Sequence, residues 1–225
     1  MKNATLIALL LMMGPAVFGQ SQPLSQGPYR IQITVERYSG GKWQAVDSRL
    51  VFEQNDTVRF RMRTNFNGFL YVTNLSTSGR YDTLFPAKET GSENHIQAEK
   101  DYVIPATDGG SFRITGPAGK EIVYWLISPS PIDNKTETPT PPSRKPPVLI
   151  PRCDSTILRA RGDCVDTTAG PKQVQEPNTL PRDLATVPNI QSRELVFMQL
   201  EKSSVVSSPT PLKGPAIYEF HLSHK

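Results

Sequence analysis

The residue types that could carry out covalent catalysis are few in this sequence, and their spacing matches none of the familiar catalytic motifs. A nucleophile needs a base within hydrogen-bonding reach, and histidine most often supplies it. The chain has only three histidines, with His95 in a polar stretch and His221 and His224 near the C-terminal end. It contains no G-x-S-x-G nucleophile elbow. The sequence therefore predicts a protein that is not an enzyme and has no catalytic residue.

The remaining catalytic signals in the sequence are weak. Ser39 and Lys42 satisfy the S-x-x-K spacing of serine–lysine acyl enzymes, but the two glycines between them favour a tight hairpin turn. Carboxylates are scattered, so a glycosidase-like pair is neither identified nor excluded. The sequence contains no H-E-x-x-H, P-loop or EF-hand motif. We therefore predict no metal and no cofactor, with a hydrolase of unrecognised site as an alternative.

Three arginines at alternate positions form the most specific candidate for a binding surface. Arg59, Arg61 and Arg63 are separated by single apolar residues. On a β-strand such residues share one face, at a spacing of about 6.6–7 Å. The row could bind an anionic polymer or the acidic face of another envelope protein. The simpler interpretation is a solvated sheet face with cross-strand partners such as Glu36.

The chain has two cysteines, Cys153 and Cys164, eleven residues apart. In an exported chain such a pair most simply forms a disulfide, and two thiols alone are too few for a zinc site. Closing this loop would stabilise the fold by roughly 2–3 kcal/mol. The loop contains Arg161-Gly162-Asp163, a tripeptide that resembles integrin-binding ligands when it is constrained. An adhesin acting through this loop is therefore a further alternative.

The first 19 residues have the layout of a secretory signal peptide. Lys2 supplies a positive charge, an apolar run follows from Leu6 to Met13, and small residues lead to Gly19. The apolar run is far shorter than the roughly 20 residues that span a bilayer. We therefore expect residues 1–19 to be removed, leaving an exported protein, periplasmic or secreted, with no transmembrane segment in the mature chain.

The overall charge restricts the partners only weakly. A formal net charge of +4 permits weak attraction to anionic surfaces but requires none. Together with the expected export, this modest value disfavours nucleic acid. We predict no nucleic-acid partner.

Alternation of apolar and polar residues predicts the strands that must position these side chains. Ser39–Lys42 predicts a hairpin turn, and Asn67-Gly68 predicts a second one between the arginine strand and Phe69–Val72. The run Ile122–Ile127 is the most hydrophobic in the mature chain and should lie in the middle of the core. Short strands separated by turn signals predict an all-β protein, an antiparallel β-sandwich.

A proline-rich stretch interrupts this pattern. Twelve of the 21 prolines lie from Pro129 to Pro188. Proline cannot donate to a β-ladder, and the surrounding polar residues offer little surface to bury. We therefore expect residues 131–189 to form an extended or disordered insertion, pinned by the disulfide.

Apolar runs return after the insertion, at residues 194–198 and 216–222. Two such strands do not form a stable unit alone, so both should pair back onto the first sheet, the one formed before the proline-rich stretch. The predicted domain therefore combines residues 28–130 with residues 190–225. The alternative is a loosely attached C-terminal hairpin.

A set of turn and strand residues between positions 50 and 130 resembles a known bacterial family. These features are Asn55-Asp56, Asn65–Val72, Leu84-Phe85-Pro86, Asn94-His95-Ile96, Ile104-Pro105 and Gly116–Glu121. In them the stretch resembles the domain of unknown function 4384 family, which usually has Gly-Asp at Asn55-Asp56. That departure is mild, because Asn also tolerates turn geometry. The resemblance carries over no catalytic residue and implies a non-catalytic binding or structural module of the bacterial cell envelope, with a β-sandwich fold.

Overall fold

The structure is a computed structural model, in which two antiparallel β-sheets pack face to face. It describes residues 29–87, 93–107, 109–132, 150–153, 156, 163–174, 180–190 and 194–225. The strands are β1 (Tyr29–Ser39), β2 (Lys42–Val46), β3 (Thr57–Thr64), β4 (Gly68–Leu75), β5 (Tyr81–Phe85), β6 (His95–Ile96), β7 (Tyr102–Ile104), β8 (Phe112–Arg113), β9 (Gly119–Ser128), β10 (Gly170–Lys172), β11 (Val196–Gln199), β12 (Ser204–Ser208) and β13 (Ala216–His224). One helical turn, α1 (Arg182–Ala185), precedes β11. The predicted β-sandwich is confirmed.

The first sheet has the order β11-β12-β1-β3-β7, with β2 beside β1 and β8 beside β3. The second has the order β10-β13-β9-β4-β5, with β6 beside β4. The tail strands, expected to pair back onto one sheet, instead enter both sheets. β11 and β12 join the first sheet through β1, and β13 joins the second beside β9. β1 and β9 precede the proline-rich stretch and β12 and β13 follow it, so segments from both sides of that stretch share both sheets.

The core between the sheets is built on aromatic contacts. The Phe60 ring lies edge-on to Trp125 at 5.5 Å and to Phe220 at 5.2 Å. These three side chains come from β3, β9 and β13 and are fully buried. All ten residues of β9 are buried, which confirms that the run Ile122–Ile127 lies in the middle of the core.

The prediction of a hairpin at Asn67-Gly68 is wrong. β3 belongs to the first sheet and β4 to the second, so the chain crosses between sheets there. Neither Asn67 nor Gly68 lies in the left-handed region that a type I′ turn requires. Gly68 instead permits close packing, because a Cβ at this position would lie 2.7 Å from the Ser128 carbonyl oxygen.

The range 131–189, expected as an extended or disordered insertion, contains ordered parts. The disulfide between Cys153 and Cys164 is present, as predicted. Farther on, Val174, Leu180, Leu184 and Val187 form a second apolar cluster with the outer face of the second sheet. Prolines separate these apolar residues in the sequence, so no regular period reveals them. Positions 133–149, 154–155, 157–162 and 175–179 lie outside the described residues, among them Arg161 and Gly162 of the tripeptide.

The helices in the described part of the chain are too short or too polar to cross a membrane.

Candidate functional site

The three arginines of β3 lie on the outer face of the first sheet. Their neighbour Phe60 points into the core, and successive side chains of a strand point to opposite faces. Arg59, Arg61 and Arg63 therefore share one face, as their alternation predicts. They are not equally accessible, because 47% of the Arg61 side chain is exposed but only 17% of Arg59 and of Arg63.

Glu36 on β1 holds two of these arginines. It lies directly opposite Arg59 in the β1–β3 register, as the sequence suggests. Arg59 Nε donates to Glu36 Oε2 at 2.6 Å, and Arg61 Nη2 donates to Glu36 Oε1 at 2.6 Å. The Glu36 carboxylate is almost fully buried, so the two guanidinium groups offset the cost of its desolvation.

Asp101 holds the third arginine in a bidentate ion pair. Arg63 Nε donates to Oδ1 at 2.9 Å and Nη2 donates to Oδ2 at 2.8 Å. This hydrogen bonding raises the pKa of Arg63. Three guanidinium groups and two carboxylates leave this region one net positive charge. Most of the positive charge that an anionic polymer would need is therefore already paired.

Two aromatic side chains extend the arginine row toward the β1–β2 hairpin. The Arg59 guanidinium lies over the Trp43 ring, 4.1 Å from its centroid. The Tyr38 ring is 5.2 Å from Trp43 and is 48% exposed. We call this surface the arginine face; it comprises Glu36, Tyr38, Trp43, Arg59, Arg61 and Arg63.

The alternation along β3 does not predict that Tyr38 and Trp43 belong to this surface. The glycine turn between β1 and β2 does, because it fixes which residues of the two strands face each other. Gly40 and Gly41 have φ angles of 58° and 78°, which confirms the predicted turn and sets Tyr38 opposite Trp43. Tyr38 is two residues from Glu36 on the same strand, so both point to the same face. Turn register and alternation together identify the aromatic pair.

The strand that carries the arginines lies within the region that resembles a known family. Its turn residue Asn55 adopts a left-handed φ of 72°, the conformation for which Asn is a tolerated replacement of Gly. Residues 51–131 match the family described as Domain of unknown function (DUF4384). No curated protein and no solved structure matches the chain.

The region that matches DUF4384 does not contain the whole arginine face. Glu36, Tyr38 and Trp43 precede it, whereas the three arginines lie inside it. At its other end, Lys120 pairs with Asp166 at 3.2 Å, and Glu121 pairs with His224 at 3.3 Å. Residues on both sides of the region therefore complete its polar contacts.

The histidines do not assemble a joint catalytic site. The exposed His95 ring contacts Phe69 at 5.2 Å between ring centroids. His221 Nε2 lies 2.8 Å from Glu219 Oε2, whereas His224 approaches Glu121. Because His221 and His224 are three residues apart on β13, their side chains point to opposite faces of the sheet. Among the described residues, no group of three or more His, Cys, Asp or Glu side chains could hold a metal ion.

A buried polar network connects the segment after the disulfide to β9 and β13. Asp166 accepts hydrogen bonds from Thr168 Oγ1 at 2.5 Å and from Ser223 Oγ at 2.8 Å, and Lys120 contacts both Thr168 and Asp166. Burial raises the pKa of Asp166, but hydrogen bonds from Thr168, Ser223 and Lys120 outweigh it and lower the pKa to about 2. Both carboxylate oxygens of Asp166 accept hydrogen bonds from within the fold, so this network is structural.

The low pKa of Asp166 predicts a loss of stability in acid. The contribution is fully present above the ordinary value of 3.8 and is lost as the pH falls through about 2. We expect the free energy of unfolding to fall by about 2 kcal/mol from this group. Urea unfolding at a series of pH values measures this loss. In the Asp166→Asn variant the free energy of unfolding should depend less on pH in the acid range. Asp82→Asn, at an exposed carboxylate, is the control, and an unchanged slope in Asp166→Asn would contradict the prediction.

Proposed function

We propose that this protein is an exported, non-catalytic binding module of the bacterial cell envelope, and that its arginine face binds an acidic surface of another envelope protein. The observation that carries the proposal is the exposed Tyr38 ring beside the stacked Trp43 and Arg59. Tyr, Trp and Arg are the residues most enriched among those that dominate the energy of protein interfaces. Here they occur together on one sheet.

The ion pairs of the arginine face support a protein partner over an anionic polymer. Glu36 fixes the positions of Arg59 and Arg61, so little side-chain entropy is lost when a partner binds. A polymer would depend on several uncompensated charges, whereas the three arginines together with Glu36 and Asp101 carry only one positive charge in excess. The half-exposed Arg61 is the group best placed to receive a carboxylate.

The layout of the first 19 residues supports export. The bacterial envelope setting rests only on what the family resemblance implies. Neither feature identifies the partner. The test must therefore start in the native envelope.

A photo-crosslinking amino acid at position 38 tests the proposal directly. We expect it to capture a defined protein in intact envelopes, identified by mass spectrometry, with the crosslink next to Asp or Glu residues of the partner. The same group at Arg80, which is 74% exposed but lies outside the arginine face, is the matched control. Equal capture from both positions, or capture of non-protein material from position 38, would contradict the proposal.

Binding of the captured partner to purified protein then tests Arg61. We expect Arg61→Ala to weaken binding at least about tenfold, the equivalent of about 1.4 kcal/mol. Arg80→Ala should leave the affinity unchanged, and Glu36 keeps its pair with Arg59 in either variant. If both substitutions weaken binding equally and salt removes the interaction, general electrostatic attraction is the correct explanation instead.

A further inference from the structure

Lys172 is the last residue of β10, the strand at the edge of the second sheet. It lies opposite Glu219 of β13, which in turn lies opposite Tyr124 of β9. Directly opposite residues of antiparallel strands share a face, and Phe220 beside Glu219 points into the core. The Lys172 side chain therefore lies on the outer face of the second sheet, away from the core between the sheets.

The amine of Lys172 differs from the charged groups around it because it is unpaired. Among the residues that the structure describes, no hydrogen bond or ion pair reaches its Nζ. Glu219 is bonded instead to His221, whose Nε2 lies 2.8 Å from Glu219 Oε2. Asp166 is the other carboxylate whose charge reaches Lys172, and it pairs with Lys120 at 3.2 Å. The amine is therefore free to react with a ligand.

Partial burial and a neighbouring cation favour the neutral form of this amine. Burial is the larger effect, because removal from water penalises the ammonium form. The positive charge of Lys120 adds to it by repulsion. The negative charges of Asp166 and Glu219 oppose both effects, yet the pKa of Lys172 is lowered from the ordinary value of 10.5. Lys172 therefore has a larger share of neutral amine at neutral pH than an ordinary lysine.

We propose that Lys172 is a nucleophilic amine at which this protein binds a small aldehyde reversibly, as a covalent imine. A lysine is activated for this chemistry when it is desolvated or lies next to another cationic group. Lys172 meets both conditions, since it is partly buried and is repelled by Lys120.

The reaction balances with the amine and the aldehyde alone. Nζ attacks the carbonyl carbon, a C–N bond forms, and a proton passes from the nitrogen to the oxygen. The resulting carbinolamine loses this oxygen as water, and a C=N bond replaces the former C=O bond. No oxidant or reductant is needed, and no leaving group larger than water departs. Hydrolysis by the reverse route releases the aldehyde.

The second lysine of this cluster does not fit the same role. Lys120 is only 5% exposed, pairs with Asp166 at 3.2 Å and contacts Thr168. Its amine is therefore engaged within the fold, and an aldehyde would have to displace these partners. Lys172 lies on the second sheet and the arginine face on the first, so this proposal does not rest on the proposed function and can fail separately.

Trace labelling with acetic anhydride measures the neutral fraction of each lysine as a function of pH. Peptide mass spectrometry assigns the acetyl groups, and each lysine is normalised to its own rate at high pH, so that differences in exposure cancel. We expect Lys172 to reach half of its maximal rate at a lower pH than the exposed Lys42 and Lys202. A midpoint equal to theirs or above it would overturn the proposal.

Capture of acetaldehyde tests the covalent step. Cyanoborohydride reduces an imine to a stable ethylamine, so it traps each lysine that has reacted. At neutral pH and limiting acetaldehyde, we expect Lys172 to be modified at least about threefold faster than Lys42 or Lys202, and this preference should disappear in concentrated urea. Without the reductant, dialysis should restore the original mass. No preference for Lys172 in the folded protein would overturn aldehyde binding, even if its acetylation midpoint is lowered.

Two variants with opposite expected effects test the cause of the reactivity. Lys120→Gln removes the repelling cation and should slow aldehyde capture at Lys172, whereas Glu219→Gln removes an attracting carboxylate and should speed it. Far-UV circular dichroism checks that each variant is folded. A change in the same direction in both folded variants would overturn the electrostatic activation. If either variant fails to fold, the comparison of lysines within the parent protein still decides the proposal.

Discussion

We expect a chain that ends after residue 133 not to fold into a stable sandwich. It lacks β12, which pairs with β1, and β13, which lies between β9 and β10. All nine residues of β13 are buried, and Tyr218, Phe220 and Leu222 form part of the core. Burial of each large apolar side chain contributes about 1.5–3 kcal/mol, and domains of this kind retain a net stability of only about 5–15 kcal/mol. Loss of the tail therefore removes more than the net stability.

Circular dichroism during heating measures this effect. The chain from residue 20 to 225 should unfold cooperatively, whereas the chain from residue 20 to 133 should show no transition and should aggregate. Both chains begin at the same residue, so the expected signal peptide does not influence the comparison. A truncated chain that is monomeric and as heat-resistant as the longer one would show that the tail is a separate module.

Phe60→Ala should destabilise the protein by about 3–5 kcal/mol. Phe60 is fully buried and joins the two sheets through its edge-on contacts with Trp125 and Phe220. The substitution removes these aromatic contacts and leaves a cavity between the sheets. Because Phe60 lies between Arg59 and Arg61, loss of its packing also loosens the strand that positions the arginine face.

Urea unfolding of three variants separates these contributions. Phe60→Leu keeps most of the buried volume and should cost less than Phe60→Ala, with the difference measuring the cavity and the lost ring contacts. Tyr38→Ala removes a half-exposed ring of the arginine face and should change the free energy of unfolding by no more than about 0.5 kcal/mol. A Phe60→Ala cost as small as that of Tyr38→Ala would contradict the role of Phe60 between the sheets.

The elements that sequence analysis identifies correctly depend on contacts between neighbours in the chain. Strict alternation marks β1 and β3, and the paired glycines at positions 40 and 41 mark the turn between β1 and β2. The alternation of residues along β3 is enough to predict that its three arginines share one face of the sheet. The aromatic part of the arginine face also follows once the turn register is applied, because the turn sets Tyr38 opposite Trp43.

The elements that sequence analysis misses depend on distant partners. Asn67-Gly68 has the composition of a hairpin turn, yet the chain passes there to the other sheet, and Gly68 is needed for the close approach of Ser128. Leu184 and Val187 look isolated among prolines, and only the outer face of the second sheet shows what they cover. Glu121 and His224 are about a hundred residues apart and meet at 3.3 Å.

The sequence by itself determined the all-β class, the strand faces, the first hairpin and the pairing of Cys153 with Cys164, because each depends on local period, turn conformation or a unique pair of thiols. Only the tertiary structure decided which strands are neighbours and which of the three arginines of β3 stays most accessible. Those outcomes depend on long-range hydrogen bonds and on burial, and period two permits many alternative strand orders with the same faces buried.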